Sequence, residues 1–291
     1  MKNILLLGAT GSIGDSVLNV IRQNKSTLNL FGIAVGKNIK KTESIIKTFL
    51  PKHIFVDDVK AYDKISSFHP DKNILNSDQE LLNLISDDKV DIVISAIVGF
   101  AGLKASLMAV NAGKTVLIAN KESIVAAGDI LMPLARSKGS IIIPIDSEHN
   151  AIFQCLPEDK TTKDVDKITI TASGGPFINI PLSKLSDISP KDALKHPNWE
   201  MGSKVSIDSA TLVNKCLELI EARYLFDLNE KFFDLVIHPQ SIVNSIVTYK
   251  DGSSISQMSN PNMEVPIANA LGLNQRLPIN FEAINFPGLN L

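Results

Sequence analysis

Arginine and cysteine are scarce in this chain of 291 residues. Only four of its 29 basic residues are arginine, so a phosphate site built on an arginine cluster is not expected. Any phosphate would be held by backbone N–H groups, hydroxyls, amides and lysine. The two cysteines, Cys155 and Cys216, are too few and too isolated for a disulfide framework or a cysteine metal site.

Long apolar runs and an excess of one charge are also lacking. No apolar stretch approaches the roughly 18 residues that span a bilayer, and residues 4–7 are too short for the core of a signal peptide. The 29 basic and 31 acidic residues nearly balance, which excludes a polybasic protein that binds nucleic acid or a membrane surface. Length and a hydrophobic content of 44% predict a folded protein of about two domains. Since neither a signal peptide nor a membrane span is predicted, the expected location is the cytoplasm.

The first half of the chain alternates apolar runs with segments of helical period. Strands are predicted at residues 4–7, 30–35, 92–97, 115–118 and 141–145, and helices at 15–22, 42–49, 103–112 and 124–138. The last helix is interrupted near Pro133. Strands this apolar are buried on both faces, and strand–helix alternation implies right-handed crossovers. We therefore predict a doubly wound parallel α/β domain over residues 1–150.

The pattern changes after about residue 150. Strands are predicted at 168–172, 242–249 and 253–258, with a hairpin turn at Asp251-Gly252, and one helix at 209–226. These elements predict an α+β catalytic domain over residues 151–275. Residues 276–291, with Pro278, Pro287 and Gly288 and no clear period, are interpreted as a linker.

A glycine motif separates the first strand from the first helix. Gly8, Gly11 and Gly14 have the spacing G-x-x-G-x-x-G, which favours dinucleotide binding, since glycine lets the backbone approach a pyrophosphate at a helix N-terminus. The alternative is a structural turn. The second strand ends in Gly36-Lys37-Asn38, with lysines at 40 and 41 and no acid nearby, which favours NADPH over NADH unless these are ordinary surface lysines.

Acidic residues follow the strand at 141–145, where open α/β sheets bind ligands. If the chain stays extended, Asp146 and Glu148 point to the same side. Two carboxylates this close repel unless a proton, a hydrogen bond or a cation intervenes, and oxygen ligands suit Mg²⁺ or Mn²⁺. The alternative is a helix N-cap followed by a solvated acid.

A helix beginning near Asp208 provides further candidates. Its predicted core stripe is Val213, Cys216, Leu217, Ile220 and Tyr224. A polar face is formed by Thr211, Asn214, Lys215 and Glu218. Glu218 could complete the metal site, and Ser209, Asn214 and Lys215 could hold a phosphate, although a surface pair of Lys215 with Glu218 is an ordinary alternative. His149 and His238 are interpreted as structural.

Eight blocks of sequence resemble, in order along the chain, the 1-deoxy-D-xylulose 5-phosphate reductoisomerase family. They are GATGSIG, NKES, DSEHNAIFQ, SGGPF, HPNWEMG, DSATLVNK, LELIEARYLF and IHPQSIV. Each block alone is modest, but eight in family order are highly specific. The resemblance implies conversion of 1-deoxy-D-xylulose 5-phosphate, a small phosphorylated sugar, to 2-C-methyl-D-erythritol 4-phosphate in non-mevalonate isoprenoid synthesis. It also implies NADPH, Mg²⁺ or Mn²⁺ (with Co²⁺ as an alternative), and a homodimer.

The resemblance also implies residue roles. NADPH contacts are expected at Thr10, Gly11, Ser12, Ile13, Gly36, Lys37, Asn38, Asn120, Glu122 and Gly202, and metal ligands at Asp146, Glu148 and Glu218. Substrate contacts are expected at Lys121, Ser147, Glu148, Ser173, His196, Ser209, Asn214, Lys215 and Glu218. The residues expected to act in catalysis are Lys121, Asp146, Glu148, His196 and Glu218, and a mobile flap would carry Trp199 and Met201.

The implied chemistry is a rearrangement by retro-aldol cleavage and aldol addition, followed by reduction of the resulting aldehyde. The metal would act as a Lewis acid, and NADPH would supply the hydride. Family members continue into a helical domain, so we expect a truncated chain with a complete ligand set and some uncovered apolar surface. Two alternatives are another NADPH-dependent enzyme, such as a semialdehyde or homoserine dehydrogenase, and a folded NADPH-binding fragment with impaired catalysis.

Overall fold

The computed structural model describes residues 1–195, 202–273 and 275–289. They divide into two compact units, one of residues 1–145 with 267–279 and the other of residues 146–266 with 280–291. The division predicted from the sequence differs at both ends of the second unit. The prediction assigned residues 146–150 to the first domain, whereas they belong to the second unit. It assigned residues after 266 to the second domain or the linker, whereas residues 267–279 belong to the first unit.

A parallel sheet of seven strands forms the first unit. The strands are β1 (Lys2–Leu7), β2 (Leu28–Val35), β3 (His53–Val56), β4 (Asn73–Leu75), β5 (Ile92–Ser95), β6 (Thr115–Ile118) and β7 (Ile141–Pro144). The order is β4-β3-β2-β1-β5-β6-β7, and every neighbouring pair is parallel. The order reverses between β1 and β5, which is where doubly wound sheets open a crevice for ligands. The predicted α/β fold is confirmed.

Helices connect these strands. They are α1 (Ser12–Gln23), α2 (Ile39–Phe49), α3 (Val59–Phe68), α4 (Asp78–Ser86), α5 (Leu103–Asn111) and α6 (Lys121–Lys138). The first strand is apolar because both of its faces are covered, and Ile4, Leu5, Leu6 and Leu7 are fully buried. The interruption of α6 lies at Ala127 (φ −140°, ψ 23°), not near Pro133 as predicted. Glycine follows Ala127 and is a poor helix former, which favours a break there.

A four-stranded sheet forms the second unit. Its strands are β8 (Val165–Ala172), β9 (Phe233–Ile237), β10 (Val243–Tyr249) and β11 (Ser254–Met258), in the order β11-β10-β8-β9. The pair β8–β9 is parallel, whereas β10 is antiparallel to both β8 and β11. The predicted hairpin is confirmed, with Gly252 at φ +86° in its turn. The sheet packs on a core that includes Ile152, Phe226 and Val247.

The helices of this unit differ from the prediction at one important point. They are α7 (Ser147–Cys155), α8 (Pro190–Ala193), α9 (Ser203–Ala210), α10 (Val213–Phe226) and α11 (Glu264–Gly272), the last of which leads back to the first unit. The predicted single helix at 209–226 is wrong, because Leu212 adopts a left-handed conformation (φ 60°) that separates α9 from α10. Asp208 therefore does not lie near the beginning of a helix, as predicted; it lies late in α9 and pairs with Lys204. Within the described residues, no helix is both long and apolar enough to cross a membrane.

Candidate active site

Three carboxylates converge in the second unit. Asp146 is the N-cap residue of α7, Glu148 lies in the first turn of that helix, and Glu218 lies in α10. One carboxylate oxygen from each residue lies within 4.8 Å of the other two. A set of oxygen donors alone suits a hard divalent cation such as Mg²⁺ or Mn²⁺. The donor set therefore fits the group that the sequence predicted.

The backbone conformation that brings the carboxylates of Asp146 and Glu148 together differs from the predicted extended one. Asp146 has extended torsion angles (φ −63°, ψ 141°), but α7 begins at Ser147, so the segment is not a continued strand. The Ser147 hydroxyl donates to Oε2 of Glu148 at 2.5 Å. The Ser245 hydroxyl donates to the main-chain oxygen of Glu148 at 3.0 Å, which ties α7 to β10. The carboxylates thus approach each other as N-cap and first-turn side chains.

Lys215 links two of the carboxylates. Its ammonium group donates to Oε1 of Glu148 at 2.6 Å and also to Oε2 of Glu218. Burial by itself would lower the pKa of Lys215, but the charges of Glu148 and Glu218 outweigh burial and raise it. The Asn214 amide donates to Oε1 of Glu218 at 2.5 Å, so both oxygens of that carboxylate are oriented by its own helix.

The buried face of α10 differs from the predicted one, of which Leu217 and Tyr224 are only half-buried. Among the residues of the predicted apolar stripe, Val213, Cys216 and Ile220 are exposed. The face turned inward carries Lys215, Glu218, Glu221, Ala222 and Phe226. A helix can bury charged groups when they pair with one another, and here pairing replaces apolar packing.

A glycine turn brings two of the expected substrate contacts together. Gly174 and Gly175 have φ values of +87° and +70°, and the Gly175 amide donates to the Ser173 hydroxyl at 3.2 Å. A Cβ on Gly175 would lie 2.7 Å from the main-chain oxygen of Ser209, so only glycine permits this approach. The turn after β8 therefore packs directly against the end of α9.

The predicted dinucleotide loop lies at the carboxyl end of β1. Gly8 has φ +84°, and a Cβ there would lie 2.5 Å from the main-chain oxygen of Ala96. Gly11 is the N-cap residue of α1 and offers no side chain for capping, and Ser12 and Ile13 begin the helix. The first turn of a helix has N–H groups without intrahelical partners, which suit a phosphate. This geometry fits the pyrophosphate of a dinucleotide.

Two lysines after β2, Lys37 and Lys41, differ in their contacts. Lys41 donates to the main-chain oxygen of Thr10 at 2.9 Å and to Asp15 at 2.6 Å, so its charge is used to support the loop. Lys37 is exposed, and Asn38 caps α2 by accepting from the Lys41 amide at 3.1 Å. Lys37 is therefore better placed than Lys41 to meet an additional phosphate.

The segment 120–122 opens α6. The amide of Asn120 donates to the main-chain oxygens of Ile97 and Gly99, at 2.5 and 2.8 Å, while its oxygen accepts from the amide of Ser123 at 3.1 Å. The side chain of Asn120 is thus used in local structure. Lys121 is buried in the first turn of α6. Its role toward substrate and that of Glu122 toward cofactor remain predictions.

Comparison with known proteins decides the family. Residues 4–128 match the 1-deoxy-D-xylulose 5-phosphate reductoisomerase family, and residues 142–226 match the C-terminal domain of the same reductoisomerase. A curated reductoisomerase from Acinetobacter baylyi is 45% identical over 98% of this chain and 74% of its own length. The chain belongs to the 1-deoxy-D-xylulose 5-phosphate reductoisomerase family. One from Psychromonas ingrahamii is 44% identical and covered over 75% of its length.

Solved structures of reductoisomerases agree. A crystal structure in complex with NADPH, fosmidomycin and magnesium is 42% identical, with a TM-score of 0.95, over 100% of this chain and 74% of that chain. The NADPH complex of the Zymomonas mobilis reductoisomerase is 38% identical, with a TM-score of 0.90, and the match covers 98% of this chain and 74% of that chain. Homoserine dehydrogenases are 13–14% identical, with TM-scores of 0.51–0.58, which shows a shared fold alone.

Several site residues expected from the reductoisomerase resemblance lie in or next to the segment 196–201. His196, Trp199 and Met201 lie outside the described residues. Gly202 is the N-cap residue of α9, next to that segment. The expected roles of these four residues stay predictions.

Sequence reasoning missed one pair in this reductoisomerase chain. His149 and Glu221 are fully buried, and Nδ1 of His149 lies 3.1 Å from Oε2 of Glu221. Burial lowers the pKa of His149, but the carboxylates of Glu221, Asp146 and Glu218 overcome that effect and raise it to about 9. The available signal was spacing, since Glu221 lies three residues after Glu218 and hence on the same helical face.

Proposed function

We propose that this chain catalyses the NADPH- and divalent-metal-dependent conversion of 1-deoxy-D-xylulose 5-phosphate to 2-C-methyl-D-erythritol 4-phosphate. Its membership of the reductoisomerase family supports this reaction, and so do the solved relatives that contain NADPH and magnesium. The observation that carries the proposal is the convergence of Asp146, Glu148 and Glu218 within one unit.

Asp146, Glu148 and Glu218 would hold the cation. A bound divalent cation supplies a Lewis acid that stabilises negative charge on the substrate's oxygens. Magnesium occurs in a solved relative, and manganese and cobalt are proposed as functional substitutes because they accept the same oxygen ligands. Lys215 and Asn214 orient Glu218 and are proposed to contact substrate as well.

The phosphate of the substrate is assigned to the glycine turn and the adjoining helices. Ser173 and Ser209 offer hydroxyls, and the close approach of Gly175 to Ser209 supports a shared pocket for them. Asn214 and Lys215 are proposed to complete it. This composition agrees with a chain that has few arginines and must bind phosphate through neutral donors and lysine. His196 and Ser147 are proposed as further substrate contacts, and Trp199 and Met201 as parts of a flap.

The cofactor is assigned to the first unit. Bound NADPH supplies the hydride for the reduction step. The loop from Gly8 to Ile13 would hold the pyrophosphate at the N-terminus of α1, and Lys37 would meet the additional phosphate that distinguishes NADPH from NADH. Asn120, Glu122 and Gly202 are proposed as further contacts, and Lys121 would orient or polarise an oxygen of the substrate. The unit of residues 1–145 with 267–279 is proposed as the cofactor domain, and residues 146–266 of the other unit are proposed as the catalytic domain.

A homodimer is proposed through the second unit, and a cytoplasmic location with it. Strand β9 lies at an edge of its sheet, where its main-chain groups are open to pairing. Leu235, Val236 and Ile237 are each more than two-fifths exposed on that edge, which is an unusual run of apolar surface. Light scattering of the purified chain and of Val236→Lys tests the assembly, and cell fractionation tests the location.

One assay tests the reaction. Oxidation of NADPH is followed at 340 nm with 1-deoxy-D-xylulose 5-phosphate, in the presence of Mg²⁺ or Mn²⁺ and after treatment with EDTA. Metal-dependent turnover is expected. Metal-independent turnover of another aldehyde would favour a semialdehyde or homoserine dehydrogenase, and binding of NADPH without any turnover would indicate an impaired fragment.

Two glutamates provide the matched comparison. Glu218→Gln removes a proposed ligand, and we expect turnover to fall at least about 100-fold while the Kd for NADPH changes less than about twofold. Glu230→Gln makes the same chemical change at an exposed site of the same unit and should leave both quantities unchanged. Equal loss of turnover and of NADPH affinity in Glu218→Gln would mean that α10 has only a structural role.

A further inference from the structure

Behind the three carboxylates, His149 connects α7 to α10. Its Nε2 atom lies 2.9 Å from the main-chain oxygen of Glu218, and its Nδ1 atom lies 3.1 Å from Oε2 of Glu221. His149 follows Glu148 directly and lies three positions after Asp146. The imidazole therefore contacts the helix of one proposed ligand while it belongs to the helix of the other two.

The two ring nitrogens of His149 face different acceptor groups. A carbonyl oxygen only accepts, so the hydrogen of that contact is on Nε2. On the other side of the ring, Nδ1 of His149 faces Oε2 of Glu221 at 3.1 Å. Neither of these two atoms has a hydrogen-bond partner among the described residues, so each atom's nearest polar neighbour of note is the other, and both side chains are excluded from solvent. The two residues thus form a close, buried contact between α7 and α10.

A buried pair of polar groups contributes little to stability compared with apolar side chains of similar size, because both groups lose their hydration. In some proteins, such a pair fixes the geometry of the elements that carry it. In this chain the pair of His149 and Glu221 connects the two helices that carry the carboxylates. The ring of Phe226 lies next to the imidazole, with the ring centres 6.5 Å apart. The pair has no contact with solvent through which it could act on substrate directly.

We propose that His149 and Glu221 are positioning residues for the metal site, which fix α7 against α10 so that the carboxylates of Asp146, Glu148 and Glu218 face one cation. This inference rests on the proposed metal site and extends it by two residues that are not ligands. Groups that orient the ligands of a metal typically change its affinity 10–100-fold when they are removed. The expected signature is a loss of metal affinity without a loss of cofactor affinity.

The test is a titration of the 291-residue chain with Mn²⁺, in which free Mn²⁺ is measured by electron paramagnetic resonance. Glu221→Gln and His149→Gln are each expected to raise the Kd for Mn²⁺ about 10–100-fold. The Kd of the double variant for Mn²⁺ should not exceed the higher of the two single-variant values, because each change removes the same pair. The Kd for NADPH, measured by fluorescence, should change less than about twofold, and Glu230→Gln should match the unmodified chain.

Each contrary result has a distinct meaning. If the unmodified chain binds no Mn²⁺, the proposed function fails at its metal site. If that chain binds Mn²⁺ and Glu221→Gln binds it equally well, the positioning role is overturned. Two Mn²⁺ ions per chain, one of them lost in Glu221→Gln, would make Asp146, His149 and Glu221 a second ligand set instead. If Glu221→Gln is unfolded, Glu221→Asp replaces it, and parallel loss of folding and metal affinity in both would show a purely structural role.

Discussion

The ammonium group of Lys215 lies 2.6 Å from Oε1 of Glu148, which joins two helices whose contacting residues are 67 positions apart. The same ammonium group contacts Glu218, and all three side chains are largely removed from solvent. Lysine in this position offsets the charge of two carboxylates that would otherwise repel each other. It also makes the site sensitive to the loss of that single positive charge.

Replacement of Lys215 by methionine tests this electrostatic role. Without metal, we expect Lys215→Met to lower the free energy of unfolding by about 3 kcal/mol, because two buried carboxylates lose their counter-charge. Saturating Mn²⁺ should restore part of that loss, since a cation can replace the missing charge. Urea unfolding in EDTA and in Mn²⁺ measures both effects. Lys195→Met, which removes an exposed ion pair with Asp192, should leave the free energy of unfolding almost unchanged.

Lys37 is expected to select between the two nicotinamide cofactors. Lys37→Ala should raise the Kd for NADPH about tenfold and leave the Kd for NADH unchanged, because only NADPH has the additional phosphate. Lys41→Ala should weaken both cofactors, since Lys41 supports the loop at Thr10. Lys47→Ala, in the last turn of the same helix, serves as a neutral control. Equal weakening of both cofactors by Lys37→Ala would contradict the assignment.

Gly8 is expected to tolerate no side chain. Gly8→Ala would combine a left-handed backbone with a Cβ that lies 2.5 Å from the main-chain oxygen of Ala96. We expect loss of NADPH binding and a decrease of at least about 3 kcal/mol in the free energy of unfolding. Gly252→Ala has a similar φ of +86° but open space around its Cβ, so it should cost only about 1 kcal/mol. Similar costs in the two variants would show that the close approach at Gly8 is unimportant.

Periodicity predicted the first unit where apolar runs were long. The residues of β1 and β6 are buried on both faces, so the pattern of a central parallel strand was clear. The elements β3, α3, β4 and α4 were not predicted. Strands β3 and β4 have only four and three residues and lie toward one edge of the sheet, and strands this short give little periodic signal.

The convergence of three carboxylates was predicted more accurately than the structure that supports it, and their role as metal ligands stays a prediction. Carboxylate side chains suggest oxygen ligands in any backbone conformation. The grouping of Asp146, Glu148 and Glu218 was therefore predicted although the residues at the start of α7 were expected to be extended. The faces of α10 were predicted wrongly because hydrophobicity assigns Lys215 and Glu218 to solvent. The contact of Lys215 with the distant Glu148 favours their burial, and no local pattern in the sequence contains that contact.

The two thiols are expected to differ sharply in reactivity. Burial raises the pKa of Cys155 to about 11, and only the thiolate is nucleophilic, so roughly one molecule in a thousand is reactive at pH 8. Cys216 is exposed on α10. In the folded chain, Ellman's reagent should therefore titrate one thiol rapidly and the other only after urea is added. Cys216→Ser should remove the rapid phase and Cys155→Ser the urea-dependent phase; equal rates for both thiols would show that the helix bearing Cys155 opens readily.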